Sequence, residues 1–260
     1  QWQPRKAVLS LGTVSRPPRE AHQNRRTSLD RVPDTDDGHR NRSRREGRMK
    51  TIQLKGKRDK SVLRRHPWIF SGAIAEHDCS LVCGETVDVL SAGGEWLATG
   101  AFSPNSQIAV RIWTGQRDTT IDAHFLAAVL GQAIRSREHS PDLADTTAVR
   151  LVNAESDGLP GVVVDRYADT LVCQFLSAGA ERWKPEIVAA LLELVPCTTV
   201  FERSDTDSRQ REGLPNATGV LAGELPPETI EISEGPCRFE VDVRSGHKTG
   251  FYLDQRTSRR

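Results

Sequence analysis

"TLVCQFLSAGAERWKPEIVAALLELVPCTTVFERS", residues 170–204, decides the architecture of most of this chain. Its opening block, TLVCQFLS, is an apolar run of strand length. Pro185 then starts a segment in which Ile187, Val188, Leu191, Leu192 and Val195 recur at helical spacing, and Pro196 ends it. TTVFERS follows as another strand. Strand, helix and strand in succession point to helices layered on a sheet.

Upstream, "VRLVNAE" and "GVVVDRY", joined by "SDGLPG", complete a three-stranded meander with TLVCQFLS. The two carboxylates of "ESDGLPG" read as turn chemistry rather than acid/base catalysis, because Asp157-Gly158 and Pro160-Gly161 supply positive φ and a preset bend. Before the meander, Ile121, Phe125, Leu126, Val129, Leu130, Ala133 and Ile134 form one helical face, with Thr119 and Asp122 as a capping pair. Downstream, residues 205–227 read as a long loop, and "ERSDTDSRQREG" within and before it as a solvated mixture of charges. "TIEIS" and "CRFEVDV" then make a hairpin.

From Lys50 to about Ile121 the signals are different. Short runs, TIQL, ETVDVL, WLATGAFS and IAVRIW, are separated by Gly, Ser, Asn and Pro, the punctuation of a small barrel or sandwich, with GGEW at 93–96 as a hairpin turn. KSVLRRHPW holds one helical turn through Leu63 and Arg64, which Pro67 stops. The whole is α+β. Boundaries are expected at 1–48, a basic unstructured segment, 49–120, the β domain, 121–243, a central domain of strands and two helices, and 244–260, the start of a further domain.

Charge is unevenly spread. The first 48 residues hold 12 Lys/Arg and 6 Asp/Glu, and the remainder 24 and 29, against a total of +1. Such an average excludes a protein that coats nucleic acid over its whole surface, so any contact must be local. The first 48 residues lack apolar period and cannot bury enough surface to offset ordering entropy. Met49, the single methionine, precedes the first ordered-looking segment and is expected to be the initiator. Five cysteines in no disulfide-like spacing point to a reducing cytoplasm. Cys79 and Cys83 have no second ligand pair for zinc, so no metal is expected. No apolar run approaches the ~20 residues of a membrane span, which argues against a membrane.

Two segments carry chemistry. Lys55, Lys57, Arg58, Lys60, Arg64, Arg65 and His66 place seven potential cations within twelve residues, beside Trp68 and Phe70. Cations for phosphate and rings for bases are what looped or single-stranded RNA recognition uses. "GHKTGFYLDQR", residues 246–256, brackets His247, Lys248 and Thr249 with glycines, the composition of a ligand-proximal loop, but its spacing is not a phosphate-binding P-loop.

The stretches "LKGKRDKSVLRRHPWIFSGAI", "GEWLATGAFSPNSQIAVRIW", "ESDGLPGVVVDRY", "QFLSAGAE" and "GHKTGFYLDQR" occur in this order over residues 50–260. In this the chain resembles the RlmI-type ribosomal RNA large subunit methyltransferases, which methylate carbon 5 of a cytosine in 23S rRNA. The resemblance implies an N-terminal PUA β-barrel that binds RNA, a central α/β domain, and a C-terminal Rossmann-like domain holding S-adenosylmethionine and the nucleophilic cysteine. The last is expected to lie beyond Arg260, so catalytic residues are none and no cofactor is expected to bind this chain alone. By the same resemblance Lys55, Lys57, Lys60, Arg64, Arg65, His66 and Trp68 are expected to contact 23S rRNA. Lys248, Thr249, Phe251, Asp254 and Gln255 are expected near the cofactor. The polar tail would fold against the absent domain, and apolar surface left there would favour self-association into a homo-oligomer. The competing expectation is a noncatalytic PUA-type RNA-binding adaptor.

Overall fold

The computed structural model describes residues 49–259. The expectations for residues 1–48 lie outside them. Seven elements come first: β1 (Thr51–Leu54), α1 (Lys60–Leu63), β2 (Trp68–Phe70), β3 (Ile74–His77), β4 (Thr86–Leu90), β5 (Trp96–Phe102) and β6 (Ile108–Thr114). The strands form one sheet in the order β2-β6-β5-β4-β1-β3, with only β1 and β4 parallel. Laid flat, the outer strands β2 and β3 would stand about 24 Å apart at ~4.8 Å per strand. Only the three-residue 3-10 turn Ser71–Ala73 joins them, a reach of about 14 Å at most. The sheet must therefore curl into a barrel. Every second residue points into it, including Ile52, Leu54, Val87, Val89 and Val110, and Val62 of α1 plugs one side.

The second layer begins with α2 (Ala123–Glu138) and β7 (Ala148–Asn153), β8 (Val162–Tyr167) and β9 (Thr170–Phe175), the antiparallel meander. Two helices, α3 (Ala178–Arg182) and α4 (Lys184–Leu194), lead to β10 (Thr199–Ser204), which pairs parallel with β9. Then come α5 (Asp207–Arg211) and β11 (Ala217–Gly223), followed by the hairpin β12 (Ile230–Glu234) and β13 (Cys237–Val241), and α6 (Arg256–Arg259). The main sheet runs β11-β10-β9-β8-β7. Leu171, Cys173 and Phe175 of β9 face α2 and α4, and Val172 faces the β12–β13 hairpin with Phe251 and Leu253. Both faces are covered. That explains why β9 reads as a continuous apolar run rather than an alternation.

Several local expectations change. Asp122 alone caps α2, its carboxylate accepting from the Phe125 amide at 2.8 Å. Leu192 is exposed, and Ile187, Ala190 and Leu191 form the buried face of α4. Residues 205–227 are not a plain loop: they contain α5 and the edge strand β11. Nor is "ERSDTDSRQREG" solvated throughout: Asp205, Asp207, Ser208, Gln210 and Arg211 are exposed, but others turn inward. Glu202, Arg203, Arg209 and Glu212 are all buried, Arg209 at 1% exposure. Each has partners: Arg209 donates to the Phe175 carbonyl at 2.5 Å and to Glu181 at 2.7 Å, and Lys184 pairs with Glu202 at 3.0 Å. Charges of alternating sign fold inward here because they satisfy one another, which composition alone does not reveal.

Barrel and sheet are joined by two devices. Ala101 and Trp113 of the barrel belong to the same apolar core as α2, α4 and the sheet, and Gly179 is a point of close approach. A Cβ there would lie 2.4 Å from the Ala101 Cβ. The second device is polar. Glu212 accepts from Ser103 at 2.7 Å and from the Ala178 amide at 3.3 Å, and Arg111 of β6 bridges Glu212 and Glu155, each at 2.9 Å.

Gly179→Ala is expected to lower the urea unfolding midpoint, costing about 1–3 kcal/mol by overpacking. Ala101→Gly in the same chain should recover part of that loss. Glu212→Ala leaves the Arg111 guanidinium half-paired at the junction and should cost about 3–5 kcal/mol in the same measurement.

Candidate nucleic-acid interface

The basic segment is shaped by the single turn of α1. The Arg65 amide donates to the Val62 carbonyl at 2.8 Å and the His66 amide to the Ser61 carbonyl at 2.9 Å, the paired bonds of a Schellman ending. Glycine usually occupies the left-handed position of that motif. Here it is Arg65, at φ 61°, and Lys57 ahead of α1 is also left-handed, at φ 66°. A non-glycine residue in this region costs on the order of 1 kcal/mol, and such strain concentrates at working sites. Pro67 follows and prevents continuation.

The result is a groove of about 640 Å³ lined by Lys57, Arg58, Lys60, Ser61, Arg64, Arg65, His66 and Pro67. A second trough, about 460 Å³, adjoins it and is lined by Arg58, Ser61, His66, Trp68, Phe70 and Gly72 among others. Arg58, Ser61 and His66 belong to both. Cations therefore run into aromatic surface without a break.

Of the residues expected to contact RNA, Lys57, Lys60, Arg64, Arg65 and His66 meet in the groove. Lys55 stands apart: its ammonium donates to the Gly72 carbonyl at 3.0 Å. Trp68 sits in the trough but is tied down. Its indole N–H donates to Glu155 at 2.8 Å, and the Arg111 guanidinium lies 5.6 Å from its ring centroid. His66 and Phe70 approach it edge-on, with centroids at 5.7 Å and 6.5 Å. Phe70, by contrast, is 49% exposed. The sequence lists both rings side by side and cannot tell them apart, since only tertiary contact from β6 and residues 154–157 distinguishes them.

Residues 246–256 divide between the core and the surface. Thr249 is fully buried, its hydroxyl donating to Asp165 at 2.5 Å and accepting from Tyr167 at 2.8 Å. Burial pushes the Tyr167 phenol well above its ordinary range, so it stays a donor. Arg150 grips the other side of Asp165 at 2.8 Å. Phe251 packs on Phe239, centroids 5.2 Å apart, with the Arg259 guanidinium 4.4 Å above its ring. Arg256 pairs with Asp145 and Arg259 with Glu234. Lys248, Asp254 and Gln255 remain at the surface, and Lys248 bonds both carboxylate oxygens of Asp254 at 3.1 Å, which holds that carboxyl below its ordinary range. The polar groups of the tail are thus spent largely on the chain's own sheet. Of the five residues expected near the cofactor, Thr249 and Phe251 are turned inward and Lys248, Asp254 and Gln255 face outward.

Comparison with known proteins adds the following. A family model described as a PUA-like domain matches residues 52–115, the barrel. The chain is 51% identical over 209 residues to ribosomal RNA large subunit methyltransferase I of Aliivibrio fischeri strain MJ11, covering 80% of this chain and 53% of that protein. The protein of the same name from Shewanella amazonensis is 50% identical over 208 residues, covering 80% and 52%. Among solved structures, a protein assigned as a SAM-dependent methyltransferase from Streptococcus mutans superposes with a TM-score of 0.66 at 22% identity, over 81% of this chain and 53% of that one. A further crystal structure, of a protein assigned as a methyltransferase and complexed with SAH, gives 0.67 at 22%. These two bear on fold alone. The chain spans about half the length of the curated relatives it matches. The basic groove thus lies on a barrel that matches a PUA-like domain, in a chain that is half identical across both layers to ribosomal RNA large subunit methyltransferase I proteins.

Proposed function

We propose that the described residues are the RNA-binding and substrate-positioning part of an S-adenosylmethionine-dependent 23S rRNA cytosine-C5 methyltransferase, and that the chain as given does not itself transfer methyl groups. The observation that carries the first half is the groove: five cations and His66 converge on one concave surface that adjoins Trp68 and the exposed Phe70. Phosphates are held by cations and bases by rings, so this surface has the chemistry of an RNA contact.

The second half rests on the cysteines. Carbon 5 of cytosine is a weak nucleophile, and methylation there needs a thiolate that adds to carbon 6. Thiolate character requires an environment that favours the anion. Burial pushes the thiols of Cys83, Cys173 and Cys197 up instead, and Cys173 is enclosed in the core behind the sheet. Cys79 and Cys237 lie in neither the groove nor the trough. Lys248, Asp254 and Gln255, exposed together on the far segment, are the part of the cofactor assignment that this reading retains.

The double variant Arg64→Ala, Arg65→Ala should bind a structured 23S rRNA fragment more weakly. The slope of log affinity against log salt should become shallower by about 1.4–1.8, since two fewer cations displace counterions. Filter binding across a salt series reads both; unchanged affinity and slope would remove the groove from the proposal. With tritiated S-adenosylmethionine and the same fragment, the 260-residue chain is expected to give no transfer, and label in the RNA would overturn the second half.

A further inference from the structure

The two aromatic residues of β2 stand in different positions although they are two residues apart in one strand. Trp68 is committed: Glu155 holds its N–H at 2.8 Å, Arg111 lies over its ring at 5.6 Å, and His66 and Phe70 meet it edge-on. Phe70 has its ring 49% exposed at the edge of the sheet. Beyond it lies Gly72, where an added Cβ would meet nothing within 4 Å, so the trough continues open past the ring. At its other end the trough shares Arg58, Ser61 and His66 with the cationic groove.

We propose that Phe70 is a stacking platform for a single unpaired base of the bound RNA, with Arg58 at the junction taking the adjoining phosphate and Trp68 serving as the fixed support that sets the angle of the Phe70 ring. This rests on the RNA-binding reading of the groove and names the form of RNA it takes. Three features of the surface argue for an unpaired base. The occupant must be a polyanion with an apolar planar part, because six basic side chains run without a break into one exposed ring. A base within a duplex has both faces covered by its neighbours, so only a splayed or single-stranded base offers a free face to an aromatic side chain. And a ring packed edge-on against a fixed tryptophan has part of its rotamer freedom restricted before binding, which lowers the entropy cost of stacking on it.

The test uses the full chain with two probes of equal charge: a mixed-sequence single-stranded RNA carrying 2-aminopurine at successive positions, and an RNA duplex. Phe70→Leu keeps apolar volume on a half-exposed edge strand and removes the flat face; Phe70→Trp restores a face. The expected result is about tenfold weaker single-strand binding for Phe70→Leu, the usual scale of one lost stacked base. The salt slope and duplex binding should be unchanged, Phe70→Trp should match the parent, and 2-aminopurine quenching at one position should be lost only in the leucine variant. Equal loss on both probes, or no loss on the single strand, overturns the assignment. Failure of the underlying reading looks different: the parent chain would then bind neither probe, or would bind both without dependence on Arg64 and Arg65.

Discussion

One guanidinium holds the two layers of this protein in register. Arg111 leaves β6 of the barrel and reaches two carboxylates from separate segments of the second layer, Glu155 from the turn after β7 and Glu212 from the end of α5. The side chains of Arg111 and Glu212 are only 14% and 2% exposed, so water can replace little of either partner. Desolvation makes such a pair costly to break, far more than it makes it stabilising to form. The consequence is geometrical: the barrel has one orientation in which Arg111 is paired on both sides. In that same orientation Glu155 also receives the Trp68 indole N–H. The interaction that fixes the layers therefore fixes the aromatic half of the groove as well.

The groove inherits its precision from the barrel's closure. β2 and β3 are the two outer strands of the sheet, and the turn that links them, Ser71–Ala73, runs beside the trough. Curling brings this turn back against β1, where the Lys55 amide donates to the Ala73 carbonyl at 2.8 Å. α1 lies across the same side with its left-handed flanks, Lys57 and Arg65. A cluster of like charges on a flexible loop would disperse. Held by a Schellman ending and a closed sheet, the cations face one hollow.

Strands and helices with regular apolar spacing were legible in the sequence. The meander, α4 between Pro185 and Pro196, the Ser91–Glu95 hairpin turn and the single turn of α1 all follow from local pattern, because their stabilising contacts repeat along the chain. What pattern missed was whatever depended on distant partners. β11 carries little charge or periodicity of its own and becomes a strand only because β10 offers an edge. Arg209 and Glu212 look like solvated residues until the Phe175 carbonyl, Glu181, Ser103 and Arg111 surround them. The site shows the same division. The cluster of cations was visible by counting, but the release of Lys55 from it and the inequality of Trp68 and Phe70 were not. The burial of Thr249 was not legible either: a hydroxyl between glycines gives no sign of the bonds it makes to Asp165 and Tyr167.

The strand order also imposes a sequence of events on folding. Among the described residues β2 hydrogen-bonds to no strand except β6, with Trp68 opposite Arg111. Bringing these together closes a loop of some forty residues, whose entropy cost must be met before the contact repays it. A growing polypeptide that has so far exposed only β1 to β5 has nowhere to place β2, and neither the trough nor the bridge from Arg111 exists. The recognition surface, encoded near the start of the barrel, is consequently completed by its last strand, so a nascent chain carries the cations of the groove well before it carries the shape that uses them.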